Sequence, residues 1–192
     1  MDALEAMLTR RSVGVLVEPA PDEAALVRIL AAADAAPDHG RMRPWRFVLI
    51  RGAAREAFGE VLVSALRHRY PEASESECER ERRKPGRAPV ILVVAASPRE
   101  RRGVPAIEQM LAAGAAAQNA LLAAHALGYG AIWRSGDPAF DPLVKTALGV
   151  QVEDSIVGFL YIGTPEGEAA TPVNRPAVNF VEWHGTGGEP IR

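Results

Sequence analysis

The chain has 192 residues, a length that fits one domain, and its 48% hydrophobic and 24% charged residues are ordinary for a globular protein. Its formal net charge of −2 gives no reason to expect a nucleic acid or an anionic membrane surface as a partner. The single cysteine, Cys78, excludes an intrachain disulfide framework and a cysteine metal cluster, so a reducing cytoplasm is the expected compartment.

Neither an export signal nor a membrane span is predicted. The opening residues lack a basic start followed by an apolar run, as a secretory signal would have. The longest stretch of small apolar residues, 111–128, includes Gln118, Asn119 and His125. Such a segment is too polar to span a bilayer, and we interpret it as a buried helix of a cytoplasmic protein.

The first third of the chain alternates helical and strand patterns. Residues 2–8 begin with a capping-box-like pair and carry one apolar face, which predicts a short helix. A second helix is predicted to begin at Asp22 and to end before Pro37. The bulky apolar segment 45–50 predicts a buried strand, and residues 55–68 return to a helical period.

The remainder begins with a charged stretch, 69–88, that lacks a clear apolar face, and we expect it to be an exposed, mobile excursion. A proline-rich tail is predicted from Thr164 onward. The elements predicted between them are, in chain order, a strand at 89–95, a helix at 105–127 capped by Gly128, a strand at 131–133, a helix from Asp141 to Gly149 and a strand at 156–162.

Because the strands are separated by helices, we predict a single α/β or α+β domain with helices around one central sheet. The helix that begins at Pro105 contains an unbroken run of small residues, 112–117. Small residues allow another helix to approach closely. The run therefore indicates either a helical dimer interface or a tightly packed monomer core.

The sequence lacks most motifs that carry catalytic chemistry. It has no phosphate loop of the G-x-x-x-x-G-K type, no H-E-x-x-H and no G-x-S-x-G. The Gly128-Tyr129-Gly130 segment follows a helix and not a strand, so it is not a dinucleotide fingerprint. The four histidines show no metal-ligand spacing, and His125, within a helix, is expected to be packed or hydrogen-bonded.

Three segments remain as candidate binding sites. Arg10-Arg11-Ser12 offers two guanidinium groups and a hydroxyl, which suit a phosphate monoester, although the arginines also fit a solvated helix end. The loop 36–45 concentrates polar groups between two prolines and ends on a tryptophan. The turn Trp133-Arg134-Ser135-Gly136 follows an apolar strand, a position that often presents groups to a ligand.

In this order and spacing, the three segments resemble the flavin site of the nitroreductase family. R-R-S after a short first helix is similar to the family's start, whose basic residue and serine hold the FMN phosphate and ribityl chain. Residues 43–47, R-P-W-R-F, resemble the family's Q-P-W-x-F segment, and residues 158–165 resemble its penultimate strand. A-P-D-H before P-W, and later G-x-I-W-R-S-G, are similar to a group of small family members.

The resemblance implies a nitroreductase-like α+β fold with three layers, α/β/α, and a central mixed sheet flanked by helices. It also implies a homodimer with FMN at the interface and a tail, 164–192, that extends onto the partner. The residues it assigns to FMN are Arg10, Arg11, Ser12, Trp133, Arg134 and Ser135, together with Ala35 and His39, which would reach the flavin of the other subunit.

The implied activity is NAD(P)H-dependent reduction of nitroaromatic, quinone or similar electron-poor acceptors by a ping-pong mechanism. The cofactor carries that chemistry, so no catalytic side chain and no metal are expected. The chain departs from the family pattern at Gly14, where many members have a basic residue, and at Arg43, where they have glutamine. Two alternatives are a flavin-consuming or dehalogenating relative, and a non-enzymatic FMN-binding protein with weak reductase activity.

Overall fold

The computed structural model describes residues 1–167, so most of the predicted tail, 168–192, lies outside the described residues. The helices are α1 (Ala3–Thr9), α2 (Glu23–Asp34), α3 (Ala54–Arg69), α4 (Glu75–Arg82), α5 (Ala106–Ala126), α6 (Asp137–Phe140) and α7 (Pro142–Ala147). The strands are β1 (Leu16–Val17), β2 (Trp45–Arg51), β3 (Val90–Ala96), β4 (Gly130–Arg134) and β5 (Ser155–Pro165). Two 3-10 turns span His39–Arg41 and Lys84–Arg87.

The helix boundaries follow the capping residues that the sequence displays. The Asp2 side chain accepts a hydrogen bond from the Glu5 amide at 2.9 Å, and Asp22 caps α2 in the same way. Helix α5 ends before Gly128, whose φ of 88° is the left-handed conformation of a helix cap. The predicted positions of α1, α2 and α5 are thereby confirmed. No helix of residues 1–167 combines the length and apolarity that crossing a membrane requires.

Strand β5 occupies the centre of the sheet. It pairs with β3 along one edge and with β4 and β1 along the other, and β2 pairs with β3. All four ladders are antiparallel, and one parallel bridge joins Ser12 to Ala131. The predicted mixed sheet is therefore antiparallel except at this bridge. Strand β5 runs to Pro165, three residues beyond the predicted end.

The alternation of side chains along the strands divides the core into two clusters. Leu92 and Leu160 point toward α2 and α5 on the first face of the sheet, whereas Ile91 and Phe159 point toward α3 and α7 on the second face. Strand β3 is buried at every position because helices cover both faces. The three-layer α/β/α arrangement predicted from the resemblance is confirmed.

Most small residues of α5 face the core of the same chain. Ala113, Ala116, Ala117 and Ala120 are fully buried, and α2 packs directly against α5. For these alanines the structure decides in favour of the monomer core. Their small side chains bring α2 close to α5 over the first face of the sheet.

Half of the residues in the charged stretch 69–88 are exposed, and the stretch forms regular structure. Ser74 and Glu77 form a capping box at the start of α4, and Cys78 is the buried residue of that helix. Gly59 of α3 allows close packing, since a Cβ there would lie 2.5 Å from the Arg82 carbonyl oxygen. The sequence pattern conceals α4 because a helix with one buried position shows no apolar period.

One buried ion pair connects the helices of the second face. The Asp141 side chain, which is 1% exposed, pairs with Arg69 of α3. Asp141 also caps α7 by accepting hydrogen bonds from the amides of Leu143 and Val144. The two contacts fix the end of α3 against the start of α7.

We expect Asp141→Ala to lower the free energy of unfolding by about 3–5 kcal/mol, because removing one member of a buried pair leaves the other charge uncompensated. Urea denaturation followed by circular dichroism measures this loss. The control is Glu23→Ala, which breaks an exposed pair with Arg51 and should cost less than about 1 kcal/mol. Equal losses in the two variants would contradict the role assigned to Asp141.

Candidate functional site

The segment Arg10-Arg11-Ser12 lines a cavity of about 490 Å³ between the end of α1, the end of α5 and the start of β4. This volume is in the range of small-molecule sites. We call it the Arg10 cavity. Its other walls include His125 and Ala131, so the structure places the R-R-S segment in a concave site, as a ligand-binding role requires.

The two arginines of this cavity differ in their contacts. Arg11 donates hydrogen bonds to the carbonyl oxygens of Leu8, at 3.0 Å, and Arg10, at 2.9 Å. The Arg11 Nε is buried without a hydrogen-bond partner among the described residues. Within residues 1–167 Arg10 forms no ion pair, although Glu166 also lines the cavity. The cavity thus carries two positive charges that no described carboxylate neutralises at contact distance.

His125 contributes a neutral imidazole to the same cavity. Its Nε2 lies 2.8 Å from Thr9 Oγ1, whose hydroxyl donates to the Glu5 carbonyl. Since that hydroxyl has only one proton, Nε2–H is the donor to Thr9. Partial burial lowers the pKa of His125, and the charges of Arg10 and Arg11 lower it further. The predicted hydrogen-bonded role of His125 is confirmed.

Strand β4 connects this cavity to the second candidate segment. The parallel bridge between Ser12 and Ala131, together with the hydrogen bond from Val13 N to Ala131 O at 3.0 Å, attaches the R-R-S segment to the start of β4. Beyond that bridge, the outer edge of β4 pairs with no other strand of residues 1–167. From Ala131 to Ser135 this edge extends for about 13 Å, at 3.3 Å per residue.

The turn Trp133-Arg134-Ser135 lies at the far end of β4 and lines a cavity of about 460 Å³. We call it the Arg134 cavity. Most of its aromatic walls belong to the second face of the sheet, including Phe58 and Phe159. The Arg134 cavity and the Arg10 cavity thus flank the same strand at its two ends.

The structure does not bring Ala35 or His39 into either cavity of the same chain. Ala35 is exposed and lines a shallow groove between α1, α2 and α5. His39 is exposed and pairs with Glu108 at the start of α5. Both positions are open to a second molecule, so their assignment to the flavin of another subunit remains a prediction.

Sequence reasoning missed the contributions of Lys84, Arg87 and Tyr161 to the Arg134 cavity. The first two belong to the stretch interpreted as an exposed excursion, and nothing local distinguishes them from its other cations. The sequence did contain a signal for Tyr161. Side chains alternate along a strand, so Tyr161 lies on the face opposite to Leu160, which is buried in the first cluster.

Comparisons with known proteins identify the family of this chain. The family model described as Nitroreductase family matches residues 7–164. An Escherichia coli K12 protein provisionally named NAD(P)H nitroreductase YdjA is 43% identical over 176 residues, 92% of this chain and 95% of that protein. The narrower resemblance to small family members of the YdjA type is thereby confirmed.

Two further proteins extend the comparison. A Rhodospirillum rubrum protein named 5,6-dimethylbenzimidazole synthase is 31% identical over 188 residues, 89% of this chain and 86% of that protein. A solved structure from Desulfovibrio desulfuricans, described as a provisional nitroreductase in complex with FMN, has a TM-score of 0.67 and 27% identity, with 92% of this chain and 93% of that one covered. The chain belongs to the nitroreductase family.

Proposed function

We propose that this protein is an FMN-dependent oxidoreductase that uses NAD(P)H to reduce nitroaromatic, quinone or similar electron-poor acceptors. The observation that carries the proposal is the open edge of β4, which joins the cationic Arg10 cavity to the turn at Trp133–Ser135. The names of the E. coli relative and of the FMN-bound D. desulfuricans structure support the same cofactor and co-substrate.

The residues at the start of β4 suit the phosphate end of FMN. Arg10 presents a guanidinium without a carboxylate partner among the described residues, and a phosphate would accept paired charge-assisted hydrogen bonds from it. The Ser12 hydroxyl adds a neutral donor beside it. Arg11 is bound to local carbonyl oxygens, so it contributes positive potential and stiffens the segment.

The far end of β4 suits the ring of the flavin. Backbone amides on a strand edge that is unpaired within residues 1–167 are donors of fixed direction, and the family resemblance implies that amides of the turn Trp133-Arg134-Ser135 face ring N5 and O4. Bound FMN would supply hydride transfer from NAD(P)H to the acceptor. The protein orients the reactants and supplies the electrostatics, so no side chain is proposed as a general acid or base. NAD(P)H and the acceptor would enter the same space one after the other, which corresponds to a ping-pong cycle.

An exposed apolar surface supports a homodimer. Leu4 and Leu8 of α1 are 71% and 62% exposed, and Ile107 and Leu111 of α5 are 64% and 66% exposed. Helix α1 packs beside the C-terminal half of α5, whereas Ile107 and Leu111 lie in the N-terminal half, and exposed apolar groups of this kind mark interaction surfaces. Because the groove beside Ala35 adjoins α1 and α5, a second copy on this surface would meet Ala35, as the proposed shared flavin site requires.

We expect Arg10→Ala to weaken FMN binding by roughly ten- to a hundredfold, since a hydrogen bond to a charged group contributes about 1.5–3 kcal/mol. Arg11→Ala should weaken it less, because Arg11 binds the backbone. Fluorescence titration of the flavin-free protein measures both. Riboflavin, which lacks the phosphate, is the control and should bind equally to wild type and Arg10→Ala. If Arg10→Ala weakened both ligands equally, the phosphate role would be wrong.

Light scattering tests the dimer. The wild-type protein should be a dimer, and Leu111→Asp should produce monomers, because it buries a charge in the proposed interface. Ala116 is unsuitable for this test because it is fully buried in the core. The matched control is Val152→Asp, at a site that is 51% exposed and far from α5 in the sequence. A monomeric wild type with FMN bound would refute the shared site.

A second candidate is the flavin-consuming reaction that the family resemblance allows, and the identity to a relative named as a 5,6-dimethylbenzimidazole synthase, not as a nitroreductase, favours an activity other than acceptor reduction. Anaerobic NADH and NADPH oxidation, with and without a nitroaromatic or a quinone, separates the candidates. Acceptor reduction should give parallel double-reciprocal plots, the signature of a ping-pong cycle. Irreversible loss of flavin absorbance on adding oxygen would instead support flavin consumption, and slow turnover with every acceptor would support a binding protein.

A further inference from the structure

The Arg134 cavity has a composition that the proposed flavin site does not explain. Its cations, Lys84, Arg87 and Arg134, lie with Tyr161 on the second face of the sheet, whereas the Arg10 cavity includes Leu121 and Ala131 of the first face. The backbone of Arg134 belongs to the edge of β4. Its side chain lies on the same face of the strand as that of Ile132, two residues earlier, and Ile132 packs into the second face.

The charges of this cavity are not balanced. Lys84 pairs with Glu81, but neither Arg87 nor Arg134 forms an ion pair with any residue of 1–167. The Arg134 Nε is buried and has no hydrogen-bond partner among those residues. A buried guanidinium donor without an acceptor is costly, and a carboxylate would satisfy it with two parallel hydrogen bonds.

The remaining walls are aromatic and rigid. The rings of Phe58 and Phe159 pack at a centroid separation of 5.9 Å with a tilt of 37°. Trp133 donates its Nε1–H to the Val157 carbonyl at 3.2 Å, and its ring lies against Gly158, where a Cβ would come within 2.1 Å of Nε1. Because its donor is occupied, Trp133 offers apolar ring surface to a ligand.

Tyr161 adds a neutral donor to the cationic end. Burial raises the pKa of the Tyr161 hydroxyl, and the opposing influence of Arg87 and Arg134 is smaller. The hydroxyl therefore keeps its proton at neutral pH. The cavity combines a phenolic donor, an aromatic body and two guanidinium groups that pair with no carboxylate of residues 1–167, in a volume of about 460 Å³.

We propose that the Arg134 cavity is a second ligand site, which binds a small aromatic carboxylate beside Arg87 and Arg134. The carboxylate would neutralise the two arginines, and the ring of the ligand would pack against the aromatic walls. This site shares the Trp133–Ser135 turn with the proposed flavin site and to that extent rests on that proposal, but none of its side chains lines the Arg10 cavity, where the FMN phosphate is proposed to bind.

The test uses the full chain as purified with its flavin, and 4-nitrobenzoate as the probe. Isothermal titration should detect binding of 4-nitrobenzoate, and 4-nitrobenzamide, of the same shape without the charge, should bind at least tenfold more weakly. Arg87→Gln should weaken the binding of 4-nitrobenzoate by roughly ten- to a hundredfold, as expected for the loss of a hydrogen bond to a charged group. The binding of 4-nitrobenzamide should not change.

The matched control is Arg83→Gln. Arg83 lies in the same segment with a side chain that is 77% exposed and paired with Glu79, and it does not line the cavity. Its substitution removes the same charge and should leave 4-nitrobenzoate binding intact. Arg134→Gln is the second variant and should act as Arg87→Gln does.

Three results would overturn the proposal. These are equal binding of the acid and the amide, equal weakening by Arg83→Gln and Arg87→Gln, and displacement of bound FMN by 4-nitrobenzoate, which would assign the cavity to the flavin. The flavin titration of the Arg10 variants is a measurement separate from the 4-nitrobenzoate titration. A failure of FMN binding is therefore distinguishable from a failure of this second site.

Discussion

The two-sided pairing of β5 is the constraint on which the rest of the structure depends. This strand holds β3 on one edge and both β4 and β1 on the other, and helices bury both of its faces. A shift of its register by one residue would exchange the side chains of the two faces. Leu160 and Tyr161 would then leave their clusters, and β4 would lose its alignment with the R-R-S segment.

Glycines in β5 and β4 make this arrangement sterically possible. Gly158 gives room to the Trp133 ring, and Gly130 lies where a Cβ would meet the Leu16 side chain at 2.7 Å. At both positions a side chain from a neighbouring segment approaches the strand backbone closely, and glycine often marks such positions in strands. The contacts bring the N-terminal segment and the turn after β4 to the two ends of one short edge.

The ion-paired residues and the arginines of the two cavities lie in different parts of the molecule. The ion pairs concentrate on α3 and α4, where Arg82 alone contacts Glu60, Glu75 and Glu79. In contrast, Arg10, Arg87 and Arg134 have no carboxylate partner among residues 1–167. Exposed pairs contribute little stability, but they neutralise the charges of α3 and α4, whereas positive charge remains in the two cavities.

The sequence by itself determined the local elements and the family. Asp2, Asp22 and Gly128 mark helix ends because capping depends on a few adjacent residues, and the apolar runs at β2, β3 and β5 identify buried strands. The R-R-S and W-R-S-G segments carried the resemblance to nitroreductases, since a cofactor phosphate and ring require particular residues at particular positions.

Only the tertiary structure decided what depends on packing between distant segments. The alanines of α5 fit a core and an interface equally well in the sequence, and their burial against α2 assigns them to the core. Helix α4 was not predicted, because its stability comes from capping and ion pairs. Arg87 joins Arg134 in one cavity because the chain returns to the sheet after α4, and side-chain proximity of this kind has no local signature.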